Sequence, residues 1–263
     1  MKINLKGIYV PLITPVYKGK FDRESMHKLI DSVDQFIDGY VPCLSTGEGE
    51  KLSSDMWREA VRAVRSKSNK PVIAGILKQS LANIHELTNE ALILGCSAVA
   101  VSSHGTSSKQ ILSYYKAVNK MSVLPIIAYN SQDNSLENIE DIVQLNKLDK
   151  IVGIKDSSQN PELMQKMIEM RKVNKLEMAI FQGMDNLLGN SYGCDGYMVS
   201  LANLEPQFCR EMFETQSETI NQKILEKFNK FHLGDNEWYL YIKKELVRRG
   251  ILRSAEPVKE AKR

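Results

Sequence analysis

The chain has 263 residues, of which 43% are apolar and 25% charged, with a formal net charge of only +3. That profile fits an ordinary soluble globular protein large enough to fold around its own core, and α/β barrels reach this length as one unit. It excludes a membrane span, because the longest uncharged stretch, Ala91 to Ser108, is broken by Gly95 and Ser97 and turns polar in its second half.

The opening Met1-Lys2-Ile3-Asn4-Leu5-Lys6 lacks an apolar leader core with a small-residue cleavage site, so secretion is not expected. Cys43, Cys96, Cys194 and Cys209 lie far apart with no C-x-x-C pair, which predicts reduced, buried thiols in a cytoplasmic protein. Basic residues alternate with acids. The densest cluster, Lys243, Lys244, Arg248 and Arg249, contains Glu245 and reads as a solvated helix face, so no nucleic-acid partner is expected.

From the N-terminus, eight short apolar runs predict strands: Ile8–Val10, Val41–Leu44, Val72–Gly75, Ala98–Val101, Ile126–Tyr129, Ile151–Ile154, Met178–Phe181 and Gly196–Val199. Amphipathic segments such as Met26–Phe36, Asp55–Val64 and Ile84–Leu94 separate them, long enough for the crossovers that parallel strands need. Pro71 and Pro125 precede the third and fifth runs, while Gly39, Gly95 and Gly193 mark helix ends. Eight such units predict a (β/α)8 TIM barrel over residues 1–203. Residues 204–263 predict a helical extension packed on it. One stripe is Met212, Phe213, Ile220, Ile224, Leu225, Phe228 and Phe231; another is Trp238, Tyr241, Ile242, Leu246 and Ile251. Val258 to Arg263 is expected to fray.

A barrel places its site at the carboxyl ends of the strands, so the polar residues after each run are the candidates. Lys155 stands out. It follows Ile151-Val152-Gly153-Ile154 with no turn residue between, and strand alternation puts it on the face of Ile151 and Gly153. If that face points inward, the ammonium is desolvated, its charged form is disfavoured, and a neutral amine can attack a carbonyl to form an imine. The competing reading is a strand-end lysine that reaches solvent or pairs with Asp156. Tyr129 ends the preceding strand, one strand spacing away, where a phenol can relay a proton; a tyrosine satisfied locally is the alternative. Ser45-Thr46-Gly47 offers hydroxyls and backbone N–H groups for a carboxylate, or is a plain strand-to-helix turn. Glu48 and Glu50 read as one carboxylate ordering its own loop and one solvated. The histidines show no metal-site spacing, and no dinucleotide fingerprint is present.

Thr14-Pro15, Ser45-Thr46-Gly47-Glu48, Tyr129-Asn130, Gly153-Ile154-Lys155-Asp156, Gly183-Met184-Asp185 and Gly193-Cys194-Asp195-Gly196 occur together in one order. In this the chain resembles the dihydrodipicolinate synthase/N-acetylneuraminate lyase family of pyruvate-handling class I aldolases. The resemblance implies a cofactor-free lyase, usually a homo-oligomer of two or four copies. It implies a Schiff base at Lys155 and a proton relay at Tyr129. Ser45 and Thr46 would hold the 2-oxo acid carboxylate, with Gly183 and the Met198 backbone lining the pocket.

Three departures qualify the second substrate. The stretch after Tyr129-Asn130 reads Ser131-Gln132-Asp133-Asn134-Ser135, without the arginine that binds the aldehyde's carboxylate in family synthases. Val101-Ser102-Ser103-His104 stands where a Pro-Tyr-Tyr element is usual, and Leu44 stands for a glycine. His104 is the accessory candidate for the missing relay. The expectation is therefore a Schiff-base lyase or aldolase acting on pyruvate or a related 2-oxo acid, with a non-standard second substrate. A catalytically silent barrel binding a 2-oxo acid or a protein partner, a true dihydrodipicolinate synthase and a sugar-acid dehydratase are the alternatives.

Overall fold

The computed structural model describes residues 5–77, 80–215 and 221–260. In chain order its strands are β1 (Gly7–Val10), β2 (Val16–Tyr17), β3 (Lys20–Phe21), β4 (Gly39–Tyr40), β5 (Ile73–Ile76), β6 (Ala98–Ser102), β7 (Ile126–Asn130), β8 (Ile151–Asp156), β9 (Ala179–Gln182) and β10 (Gly196–Tyr197). The helices are α1 (Arg23–Val33), α2 (Ser54–Lys67), α3 (Leu81–Ile93), α4 (Ser108–Met121), α5 (Ile139–Asn146), α6 (Pro161–Lys172), α7 (Pro206–Thr215), α8 (Asn221–Lys230) and α9 (Trp238–Arg248). Helix starts are set locally. Asp22, Ser53, Ser80, Ser107 and Asn160 each accept a backbone N–H at the first turn of α1, α2, α3, α4 and α6. Each such cap stabilises its helix by about 1 kcal/mol.

Eight parallel strands run in the order β4-β1-β10-β9-β8-β7-β6-β5, and a single bridge between Tyr40 and Val72 joins the two ends into a (β/α)8 TIM barrel. Strand alternation produces two cores. Ile8, Val10, Ala74, Val99, Val101, Ala128, Ile154 and Ile180 face the helices, while Tyr9, Ile73, Ala98, Ala100, Ile127, Phe181 and Met198 fill the barrel. The link from β9 to β10 is a 3-10 helix, Asp185–Asn190, in place of an α-helical crossover. All four cysteines are free and buried. No described helix is long and apolar enough to cross a membrane.

Several expectations are corrected. The second strand is Gly39–Tyr40, two residues earlier than the Val41–Leu44 run: Pro42 has no N–H for the ladder, and Cys43 takes φ 65°. Gly39 accordingly lies inside a strand rather than at a helix end, where a Cβ would meet the Tyr9 ring at 2.4 Å; Gly95, at φ 78°, does follow α3. Ile151 does not share a face with Lys155. The β7–β8 register shifts between Ile126 and Ile127, so Ile151 joins the outer core while Gly153 pairs with Ile127 inside.

In the helical extension, Leu225 is 49% exposed and leaves its stripe, and Ile220 lies outside the described residues. Lys243 is not part of a solvated face. Its side chain is fully buried against Glu48. Val258 is not frayed: it is buried, and its N–H donates to Glu48 Oε2 at 2.9 Å. Ala261–Arg263 lie outside the described residues.

Candidate active site

β7, β8 and β9 are in register where they reach the barrel mouth. Tyr129 pairs with Lys155, and Lys155 with Phe181. Because Tyr129 and Phe181 face the interior, Lys155 does too, and only 4% of it is exposed. Its Nζ stands 4.0 Å from the centre of the Tyr129 ring and forms no ion pair with a described residue. Asp156, next along the strand, points the other way. Asn130 Nδ2 donates to it at 2.8 Å and Ser158 Oγ at 3.1 Å, and burial holds its carboxyl above the usual range. The readings of Lys155 as a solvent-reaching lysine or as the partner of Asp156 do not fit this geometry.

After β4 the chain makes two consecutive 3-10 turns, Ser45–Gly47 and Gly49–Lys51, joined at Glu48, whose φ is 55°. Ser45 Oγ and Tyr129 OH share a hydrogen bond of 3.2 Å, and Thr46 Oγ1 and Ser200 Oγ one of 2.8 Å. Trp238 Nε1, from α9, donates to Ser200 at 3.2 Å. Gly183 follows β9. A Cβ there would meet Ser157 Oγ at 2.2 Å and Lys155 Cε at 2.8 Å, so the bare backbone is what lets Lys155 stand where it does.

These groups border a cavity of about 630 Å³ at the carboxyl ends of the strands, lined by Lys155, Tyr129, Ser45, Thr46, Gly183 and Ser200 among others. Five of the seven residues named from the sequence therefore converge. Met198 does not line the cavity: it is buried in the interior core, its N–H donating to Gln182 O at 2.8 Å. His104 is also outside it. The loop after β6 turns at Gly105 (φ 137°), leaving His104 exposed with its ring 5.5 Å from that of Tyr114.

Other lining residues went unremarked as site residues. Asp185 lines the cavity, accepting from Leu201 N at 2.7 Å and Ser200 N at 3.3 Å. Burial pushes its carboxyl up to about 6, against the opposing pull of those two N–H groups and of the Lys155 charge. Ser157 Oγ and Asn186 Oδ1 are buried without a hydrogen-bond partner. Their signal in the sequence was adjacency alone: Ser157 follows Lys155-Asp156, and Asn186 follows Gly183-Met184-Asp185. Among the described residues no group of three or more His, Cys, Asp or Glu side chains is placed to hold a metal ion.

The model of the dihydrodipicolinate synthetase family matches residues 4–262. The chain belongs to that family. Its relatives include the 4-hydroxy-tetrahydrodipicolinate synthases of Parvibaculum lavamentivorans, 32% identical over 84% of this chain and 78% of that one, and of Bartonella bacilliformis, 30% identical over 80% and 74%. A 2-keto 3-deoxygluconate aldolase from Picrophilus torridus superposes with TM-score 0.77 at 25% identity, covering 91% of this chain and 93% of its own. The 4-hydroxy-tetrahydrodipicolinate synthase of Methylacidiphilum fumariolicum SolV has TM-score 0.83 at 23% identity, over 99% and 90% of the two chains, a likeness of fold. Members of the dihydrodipicolinate synthetase family are class I lyases and aldolases, and the family includes enzymes that act on pyruvate.

Proposed function

We propose that the protein is a Schiff-base lyase that takes pyruvate or a related 2-oxo acid on Lys155. The carrying observation is a buried lysine in no ion pair among the described residues, its Nζ over the Tyr129 ring, at a cavity wide enough for a small acid and a second reactant. In this reading the neutral Nζ attacks the ketone carbon, one proton passes from the nitrogen to the oxygen and a second reaches it by way of Tyr129, and water leaves to give the protonated imine. The imine then accepts the electron pair released when the C3–C4 bond of a longer acid breaks, or when C3 loses a proton before condensation. Tyr129, hydrogen-bonded to Ser45, carries the protons. Ser45 and Thr46 hold the carboxylate, and Gly183 gives the acid room beside Lys155.

The remainder of the cavity supports an uncharged, hydroxyl-bearing aldehyde as the second reactant. Among the described residues its lining carries Glu50, Asp133, Asp185 and Asp235 but only one cationic side chain, Lys155 itself. Asn186 Oδ1 can only accept, and Ser157 Oγ awaits a partner, which suits hydroxyl groups. A second reading, 4-hydroxy-tetrahydrodipicolinate synthase, is favoured by the names of the curated relatives. It requires an anionic aldehyde to bind with no arginine among the described residues of the cavity lining. A cytoplasmic homo-oligomer belongs to the proposal through the family resemblance.

Intact-protein mass spectrometry after incubation with pyruvate and borohydride tests the core of the reading. A reduced pyruvyl adduct on wild type and none on Lys155→Ala is the expected result. No adduct on wild type with pyruvate or any longer 2-oxo acid would favour a silent barrel. A subsequent aldehyde screen separates the two second reactants by their relative kcat/KM.

A further inference from the structure

Glu48 carries a fully buried carboxylate in the middle of the Ser45–Lys51 double turn, in a left-handed conformation at φ 55°, ψ 35° that a non-glycine residue adopts only when its surroundings impose it. Neither of its principal side-chain partners is local. Lys243 Nζ, from α9, donates to Oε1 at 2.5 Å, and the N–H of Val258 donates to Oε2 at 2.9 Å. Lys243 is itself wholly buried, and its second hydrogen bond goes to the carbonyl of Glu256 at 2.8 Å. Lys51, at 3.7 Å from Oε2, is the only other cation beside Glu48 among the described ion pairs, and it is partly exposed.

The backbone around Glu48 has no slack. A Cβ on Gly47 would meet Leu12 O at 2.6 Å, and one on Gly49 would meet Cys43 O at 2.0 Å. The turn is wedged against β1's extension on one side and the irregular segment after β4 on the other. Hydrogen bonds from Thr14 to Gly47 O, between Thr46 and Ser200 and between Ser45 and Tyr129 also hold it, and the ion pair to α9 is its only fully buried charged anchor among the described residues. A buried charge that loses its partner must find another, reach water or take up a proton, and for Glu48 a swing towards water or towards the partly exposed Lys51 pulls on the turn. Ser45 and Thr46 would move with it.

We propose that Lys243, acting through Glu48, is a positioning residue that sets the Ser45–Thr46 turn for the carboxylate of the 2-oxo acid. This rests on the reading of that turn given above. The pair thereby links a helix nearly 200 residues away in sequence to the affinity of the cavity. Lys155 and Tyr129, held by strand register, are left in place when it breaks.

The test compares wild type, Lys243→Met, Glu48→Gln and Arg253→Met. Arg253 ties the same C-terminal stretch to Asp22, away from the turn. Two quantities are read: the pyruvate concentration for half-maximal borohydride-trapped adduct, and amide hydrogen exchange at Gly47, Glu48 and Gly49. Lys243→Met and Glu48→Gln are each expected to raise the half-saturating concentration on the order of tenfold or more, with saturating adduct unchanged and faster exchange at 47–49. Arg253→Met is expected to lower the melting temperature while moving neither readout. Wild-type half-saturation in folded Lys243→Met and Glu48→Gln overturns the proposal, whatever their melting temperatures. If Lys243→Met does not fold, Glu48→Gln, which keeps the side chain's shape, carries the same readouts. Should wild type form no adduct while exchange at 47–49 still rises in the variants, the hold on the turn stands and the carboxylate reading fails.

Discussion

The two sides of the barrel position their groups by different means. From β5 round to β9, neighbouring strands share four or five paired residues, and Lys155 and Tyr129 are held by that ladder. From β9 through β10 and β1 to β4, each pairing has two residues, and the sheet gives way to turns at once. On the second side, precision comes from side chains that reach across the chain: Glu48 to Lys243, Thr46 to Ser200, Ser200 to Trp238. A ladder fixes a reacting atom through many cooperative bonds. A turn held by a few long-range side-chain contacts loses a large share of its hold when one of them goes.

Substitutions on the two sides should therefore fail differently. On the ladder side, Tyr129→Phe keeps the ring under Lys155 and removes only the hydroxyl, so steady-state kinetics should show kcat lowered by roughly 10²–10⁴ with half-saturation little changed. An equal rise in half-saturation would mean that the hydroxyl holds Ser45 more than it moves protons.

Asp185 joins the two sides, since it follows β9 and accepts from the turn after β10. Its carboxyl lies at about 6 in the fold against an ordinary 3.8, so the fold favours the neutral acid. That contribution is complete below about pH 4 and is lost as pH rises through 6, amounting to about 3 kcal/mol. Denaturant titrations from pH 4 to pH 7 should show this loss in wild type and not in Asp185→Asn; equal slopes would remove Asp185 as its source.

On the turn side, Ser45→Ala should raise the half-saturating 2-oxo acid by about tenfold with kcat nearly kept, the size of one hydrogen bond to a charged group. The smallest effect lies at the C-terminal stretch. Burial would raise the Asp22 carboxyl, but hydrogen bonds from Arg253 and Ser25 outweigh it and hold it at about 2. The pair's contribution is present above about pH 4 and lost as pH falls towards 2. It is worth roughly 1 kcal/mol, because the Arg253 end is 44% exposed and screened by solvent. Acid titrations of wild type and Arg253→Met should converge near pH 2.

What could be read from the sequence follows the same division. Lys155 and Tyr129 were legible because they terminate apolar runs, and a ladder carries such a run straight to the barrel mouth. The displacement of β4 was hidden, since Val41-Pro42-Cys43-Leu44 is as apolar as a strand and only the missing Pro42 N–H and the Cys43 backbone angle take it off the ladder. The bulge at the start of β8 escaped notice because alternation assumes an unbroken register. Lys243 was misread for a different reason: its neighbours Lys244, Glu245 and Arg248 are ordinary surface residues, and the partner that buries it is 195 positions away. Gly183 and Met198 both came from the family resemblance, and of the two Gly183 borders the cavity while the Met198 side chain lies in the interior core.

The single bridge between Tyr40 and Val72 is a seam in the ring. β4 and β8 stand four places apart in the strand order and so form opposite walls. A 2-oxo acid bonded to Lys155 on one wall and held by the turn after β4 on the other would be a cross-brace. Occupancy would then stiffen the weakly paired arc most, and the reactant would serve as a missing strut of the architecture that receives it.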